Sequence, residues 1–319
     1  MTSNMIWAYL IHLGECMWGD FEPGDGGKCL FTQKPTFTKD AWLDITAMLK
    51  EKKCCNMIII DIGEGVEFES HPEIKSPWAW TKKELADELA RLRALGFEVI
   101  PKLNFSTGHD KWMGVYSRMV STPQYYQFCT DVINEISELF GYPRFFHIGM
   151  DEECAAVQKK YSICIVRQNE LFLHDLDFLF KAVEKNGARP WMWADHIWHT
   201  PELACELLKR LSHEGVYSNW YYGDWMPTKT YFQSVMDTYS ILEKHGFDQI
   251  PTAGNCKSVI EYSRENMVRT VENCTKIISP EHLLGFMMTS WEKTNTEKLP
   301  RHEEATDMMK EGFESFYCK

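Results

Sequence analysis

A short apolar run, a loop of polar and aromatic residues, then an amphipathic helix: this sequence passes through that order eight times in 319 residues. The apolar cores are MIWAYLIHLG, NMIIIDIG, FEVIPKLNF, RFFHIGMDEE, RPWMWADHIW, GVYSNWYYGDW, QIPTAGN and LLGFMMTSWE. Strands that alternate with helices pair in parallel, because each helix carries the chain back before the next strand begins. Eight rounds predict an α/β fold, a (β/α)8 TIM barrel, with residues 1–319 as a single domain. A doubly wound open sheet is the alternative. It would bring a Gly-rich phosphate loop after the first strand, and HLGECMWGD is not one.

The helices carry their own boundaries. In TKKELADELARLRALGF, Thr81 and Glu84 form a capping box, Leu85, Leu89 and Leu92 make an apolar stripe, and Gly96 stands where a left-handed residue ends a helix. In STPQYYQFCTDVINEISELFG, Thr122 caps, Pro123 takes the first helical position, and Val132, Ile136 and Leu139 form the stripe.

Composition removes several classes. With 44% hydrophobic and 25% charged residues the chain can bury a large core. A formal net charge of −12 argues against a nucleic-acid partner, which needs a basic face. Lys50 to Lys53, interrupted by Glu51, read as a solvated helix face. The 11 cysteines show no Cys-x-x-Cys pair, so they read as reduced thiols acting as small hydrophobes. That suits a reducing compartment, and a cytoplasmic location is the expectation. No apolar stretch is long enough to span a bilayer, and the first strand begins without a basic, cleavable leader pattern, so no membrane partner is expected.

In a barrel of this kind, function gathers where strands end. The second strand ends in Asp61, Glu64 and Glu67, the third in Asn104, His109 and Asp110, and the fourth in His147, Asp151, Glu152 and Glu153. The fifth carries Trp193, Asp195 and His196, the sixth Trp220, Tyr222 and Asp224, the eighth Trp291 and Glu292. Acids, amides and indoles in one ring suit a sugar, whose C–H faces lie on aromatic rings while its hydroxyls need polar partners. Trp193 and Trp291 are placed in that pocket; Trp7, Trp78 and Trp80 are read as core. Glu153 reads either as a site acid or as an acid favouring a helix N-terminus. The two Asn-x-Ser/Thr matches, at Asn104 and Asn273, read as chance rather than as glycan acceptors.

HIGMDEE, residues 147–153, resembles the His-x-Gly-Gly-Asp-Glu motif of glycoside hydrolase family 20, the β-N-acetylhexosaminidases. VIPKLNFSTGH, MWAD, YYGDW and GFMMTSWE resemble that family's third, fifth, sixth and last strand segments, in the same order. The resemblance implies a single catalytic barrel that removes β-linked N-acetylhexosamine, GlcNAc or GalNAc, from a carbohydrate without metal or cofactor. The reaction is retaining but uses the substrate's own acetamide as nucleophile, through an oxazolinium intermediate. Glu152 would be the general acid and base, Asp151 would orient the acetamide, and Tyr222 would bind its oxygen. His109 and His147 would orient the acids, Trp193 and Trp291 would wall the acetamido pocket, and Asp224, Glu292 and Glu64 would bind hydroxyls.

Departures from that pattern are equally specific. Met150 replaces the second glycine, so the backbone there must accept a side chain. Lys102 stands where the family usually has Glu. The first strand ends without the family's arginine and offers Glu15 and Asp20 instead. Two rivals remain: a metal-dependent hydrolase using His12, His109, His147, Asp151 and His196, and a sugar-binding barrel without turnover. The first lacks a His-x-His on the first strand.

Overall fold

A computed structural model describes residues 5–14, 37–159, 165–225, 230–256 and 263–318. Nine parallel strands make one sheet: β1 (Ile6–His12), β2 (Met57–Asp61), β3 (Glu98–Lys102), β4 (Phe145–His147), β5 (Arg189–Trp193), β6 (Val216–Ser218), β7 (Asp248–Gln249), β8 (Thr252–Gly254) and β9 (Gly285–Thr289). The spatial order is β7-β6-β5-β4-β3-β2-β1-β9-β8.

The expected seventh strand is split into β7 and β8 at Ile250 and Pro251, because proline has no N–H to give a ladder. The segment still closes the ring. Ile250 N donates to Tyr217 O at 3.1 Å on one side, and Met287 N donates to Pro251 O at 3.0 Å on the other. Eight strand positions therefore enclose a (β/α)8 barrel.

Helices α1 (Lys39–Lys52), α2 (Lys82–Ala94), α3 (Pro123–Leu139), α4 (Ala155–Gln158), α5 (Asn169–Glu184), α6 (His196–His199), α7 (Pro201–Arg210), α8 (Thr230–Lys244), α9 (Asn266–Ile277) and α10 (Leu299–Tyr317) run between and after the strands. The capping box forms as expected: Glu84 N donates to Thr81 Oγ1 at 3.2 Å and Thr81 N to Glu84 Oε2 at 2.8 Å. Gly96 takes φ +91°, and Thr122 Oγ1 accepts from Tyr125 N.

Strand residues alternate between two cores, as a pleat with both faces covered requires. Ile6, Ala8, Leu10, Met57, Ile59, Ile100, Phe145, Trp191, Trp193 and Met287 fill the barrel interior. Trp7, Tyr9, Ile11, Ile58, Ile60, Val99, Phe146 and Met288 face the helices. Trp7 and Trp80 lie in that outer core, as read from sequence. Toward the strands' C-terminal ends the interior turns polar: His12, Asp61, Lys102 and His147 stand side by side in register on β1 to β4. Among the described residues, no helix is long and apolar enough to cross a membrane.

Candidate active site

The turn after β4 decides the site's geometry. Gly149, Met150 and Glu152 have φ of +73°, +70° and +58°. A left-handed residue other than glycine costs roughly 1–2 kcal/mol, so two of them in one turn must be held by their surroundings. Asn104 does much of the holding. Its Oδ1 accepts from Met150 N at 3.2 Å and from Ser106 N at 3.0 Å, while its Nδ2 donates to Asp151 Oδ1 at 2.8 Å. A Cβ on Gly149 would overlap that Asn104 side chain, which is why this position is glycine. Met150 carries its side chain into the buried core, with Sδ 3.6 Å from Arg167 Nη2. An Asn104 this buried is no glycan acceptor.

Asp151 and Glu152 converge on one imidazole. His109 Nε2 lies 3.2 Å from Asp151 Oδ2 and 3.2 Å from Glu152 Oε2. Burial alone would lower the His109 pKa, but the two carboxylates outweigh it and raise it well above the usual 6.5. Burial would raise Asp151; the His109 charge, the Lys102 charge and the Asn104 hydrogen bond together hold it below the usual carboxylate range. The cluster therefore contains an imidazolium and an anionic Asp151.

A third acid enters from β5. Asp195 Oδ2 accepts the Glu152 backbone N–H at 2.7 Å and lies 3.5 Å from His199 Nε2. Burial, and then the neighbouring Asp151 charge, push the Asp195 pKa well above its ordinary value. Burial lowers His199 to about 4, against the opposing pull of Glu152 and Asp151.

Glu153 belongs elsewhere. It is neither a site acid nor at a helix start, since α4 begins at Ala155 with Cys154 as its N-cap. Glu153 pairs with Arg167, and both side chains are fully buried. Thr107 N donates to Glu153 Oε1 at 2.7 Å, and Arg167 also reaches Asp175 Oδ2 at 3.1 Å and Phe105 O at 2.8 Å.

Aromatic residues form a second group. Trp291, itself at φ +54°, donates from Nε1 to the Tyr222 hydroxyl at 2.7 Å. Tyr222 lies in the loop beyond β6 and stacks on Trp220 with ring centroids 5.3 Å apart. Its pKa is raised well above 10, first by burial and further by the charges of Asp151 and Asp195. The Trp193 ring packs between His147, at 4.8 Å, and Trp291, at 5.6 Å.

His147 stands one layer deeper than the acids. Its Nδ1 accepts from Gly149 N at 3.0 Å, and burial and then Lys102 keep it neutral, far below the usual pKa. The Lys102 ammonium is paired with buried Asp61, which also has His12 Nδ1 at 3.4 Å, and it lies 6.0 Å from the Trp291 ring centroid. Lys102 thus belongs to an internal ion pair beneath the mouth.

The remaining candidates are spread more widely. Glu64 is buried, and its backbone oxygen accepts from Ser76 N at 3.3 Å. Asp224 is exposed. Glu292 faces two cations, Lys298 Nζ at 3.6 Å and Arg301 Nε at 3.7 Å. Glu15 and Asp20 lie outside the described residues. Among the described residues, no three His, Cys, Asp or Glu side chains gather as ligands of a metal ion. Of the rival metal set, His196 instead stacks on Phe172 at 4.0 Å.

The molecule is thus a (β/α)8 barrel whose carboxylates, imidazoles and indoles meet at the C-terminal mouth. It is similar in fold to the Streptomyces plicatus N-acetyl-β-hexosaminidase solved with Thio-NAglucal, at TM-score 0.62 and 13% identity, over 96% of this chain and 64% of that one. It is similar also to the GH20 exo-β-N-acetylglucosaminidase of Vibrio harveyi in complex with N-acetylglucosamine, at TM-score 0.59 and 14% identity, over 96% of this chain and 54% of that one. The chain therefore spans less than two thirds of the length of either. A GH113 β-1,4-mannanase matches at TM-score 0.53 and 14% identity, over 98% of both chains. At such identities the likeness establishes the fold, which many chemistries share. No protein-family model and no curated protein matches the sequence.

Proposed function

We propose that this barrel is the catalytic domain of a retaining glycoside hydrolase that removes β-linked N-acetylhexosamine, GlcNAc or GalNAc, from a carbohydrate by substrate-assisted catalysis. One observation carries the reading: two consecutive acids share His109 at 3.2 Å each, and the Asp151 charge acts on a Tyr222 hydroxyl that is itself bonded to Trp291. An ordinary retaining pair approaches the scissile bond from two sides, about 5–5.5 Å apart. Adjacent acids instead suit two atoms of one substrate, the leaving oxygen and the 2-acetamide. The presence of hexosaminidases among the fold neighbours supports a glycoside hydrolase of that kind.

In this reading Glu152 protonates the leaving oxygen and then activates water. His109, charged and 3.2 Å away, holds the proton that Glu152 delivers. Asp151, kept anionic, accepts the acetamide N–H and stabilises the cationic oxazolinium. The Tyr222 hydroxyl, which already accepts from Trp291, donates its own proton toward the acetamide oxygen. Trp193 and Trp291 enclose the acetamide methyl, His147 supports the turn from below, and Glu64, Asp224 and Glu292 are assigned to the sugar hydroxyls.

The test is a panel of aryl β-glycosides: the N-acetylglucosaminide, the N-acetylgalactosaminide and the matching hexosides without the acetamide. The N-acetyl substrates should be cleaved far faster, and a thiazoline resembling the intermediate should inhibit competitively. Equal rates with and without the acetamide, or a fluorosugar trapped covalently on Asp151 or Asp195, would refute substrate assistance.

A further inference from the structure

We infer that Asp195 is a positioning residue for Glu152: it holds the acid's backbone N–H so that the strained turn after β4 presents Glu152 and Asp151 to the same imidazole. The inference rests on the reading of Glu152 as the acid, and names a residue that acts through it.

The turn needs such a partner. Asn104 anchors Met150 N and the Asp151 carboxylate, and Ser106 Oγ donates to Asp151 O. These bonds fix Met150 and Asp151; Glu152, at φ +58°, is a second non-glycine residue in the left-handed region and needs a partner of its own. The Glu152 N–H goes to Asp195 Oδ2 at 2.7 Å. Without that bond the residue would relax toward the β or α region, and its carboxyl would swing away from His109. Asp195 is suited to the task because it is itself fixed. It is wholly buried at the end of β5, and its own backbone oxygen accepts from Trp198 N at 3.1 Å and His199 N at 2.9 Å, anchoring the turn of α6.

Its chemistry fits positioning better than nucleophilic attack. A nucleophile must be anionic, whereas burial and the Asp151 charge favour the neutral acid here. A neutral carboxyl accepts a backbone N–H through its carbonyl oxygen without placing a third negative charge beside Asp151 and Glu152. An amide does the same, so asparagine is a close mimic of the working state and alanine is not.

The experiment compares Asp195→Asn with Asp195→Ala in the whole chain. Asp195→Ala should lower kcat by roughly 10- to 100-fold, the order expected for a small misplacement of a catalytic group, with KM little changed. The loss should be greater for aryl glycosides with poor leaving groups, since these need the acid more. Asp195→Asn should recover most of the loss. Substrate-free NMR of the His109 imidazole gives a second readout: in Asp195→Ala its titration should move down toward the ordinary value, because Glu152 no longer sits beside it. Should Asp195→Ala not fold, Asp195→Ser takes its place. An asparagine variant as inactive as the alanine one, or an unchanged His109 titration in the alanine variant, overturns the inference. If the parent chain cleaves none of the glycosides, the hydrolase reading fails on its own, and the His109 titration still decides whether Asp195 positions Glu152.

Discussion

Glu152 and Glu153 are neighbours in the chain and opposites in the molecule. Glu153 lies in a closed network with Arg167, Thr107 and Asp175, where its carboxylate meets a buried guanidinium and a backbone N–H. Glu152 sits at a positive φ, its side chain is 21% exposed, and it shares one imidazole with another acid. The backbone turns the two side chains to different sides. A glutamate with several fixed partners has no capacity left for a substrate, whereas one beside a charged histidine at a mouth has. Partners, rather than residue type or proximity to a motif, separate a structural acid from a chemical one.

Replacing each neighbour tests this difference most directly. Glu152→Gln should cut turnover of substrates with poor leaving groups by roughly 10²- to 10⁴-fold, the usual contribution of general acid catalysis. Its denaturant midpoint should stay near that of the parent. The loss should shrink for nitrophenyl glycosides, whose leaving groups need little protonation. Parent-like hydrolysis of unactivated sugars by Glu152→Gln would remove the distinction altogether.

Arg167→Met should act on the other side of the comparison. It leaves Glu153 and Asp175 as buried carboxylates without their cation, a change that typically costs about 3–5 kcal/mol. Equilibrium unfolding in urea should show the loss, while activity per folded molecule should remain within a few-fold of the parent. A fully stable Arg167→Met chain would mean that the network contributes little to the fold.

The part of this arrangement that repeats or alternates was legible in the sequence. Thr81 with Glu84, Thr122 with Pro123, and Gly96 mark helix ends through local hydrogen bonds, so a single chain displays them. Eight strand–helix rounds follow from periodicity, and the barrel then places Asp151, Tyr222 and Trp291 at one end. What depends on partners distant in sequence was hidden. Arg167 follows Glu153 by 14 positions in a stretch with no pattern, and Asp195 meets Glu152 from another strand, so neither pairing leaves a spacing to read. The Lys102–Asp61 pair is legible only as a departure, since a lysine at a strand end reads as a surface cation until its partner on β2 is seen. Met150 announced a strained turn, but nothing in the sequence indicated that Glu152 would also take a positive φ.

Gly149 connects the two halves of the comparison, and its replacement should have an intermediate effect. In Gly149→Ala the new methyl meets Asn104 at φ +73°, so the residue is strained and the Asn104–Asp151 bond is pushed apart. A stability loss of roughly 1–3 kcal/mol is expected for such a position, together with a fall in kcat, because Asp151 loses its anchor. Asn104→Ala should reproduce the fall in kcat. If Gly149→Ala lost stability but kept full turnover, the turn would be structural only and Asp151 would be oriented by His109 alone.

The smallest effect expected is on the pH dependence of stability, and it separates the site, whose groups titrate, from Arg167, which stays charged. His109 has a raised folded-state pKa, so its contribution is fully present below the unfolded value of about 6.5 and is lost as pH rises through the folded value. Asp195 is raised too, so its contribution is lost from about pH 3.9 upward, through its own folded value. Asp151 is lowered; its contribution is present above the ordinary carboxylate value and is lost as pH falls through the folded one. Burial lowers the pKa values of His147, His196, His199 and His302, so these groups add stability as pH rises toward about 6.5 and oppose the decline there. Urea midpoints should therefore decline from about pH 6.5 to pH 9.5, and His109→Gln should flatten that decline. Asp195→Asn should remove the loss that Asp195 adds from lower pH, since an amide does not titrate. Arg167 stays charged throughout: burial would lower its pKa, but the Glu153 and Asp175 charges outweigh burial and raise it further, so it adds no titration of its own in this range, and Arg167→Met should lower the whole curve. A His109→Gln curve parallel to the parent's would show that His109 does not carry the proton between Asp151 and Glu152, and the proton delivered to the leaving oxygen would have to be held on Glu152 itself.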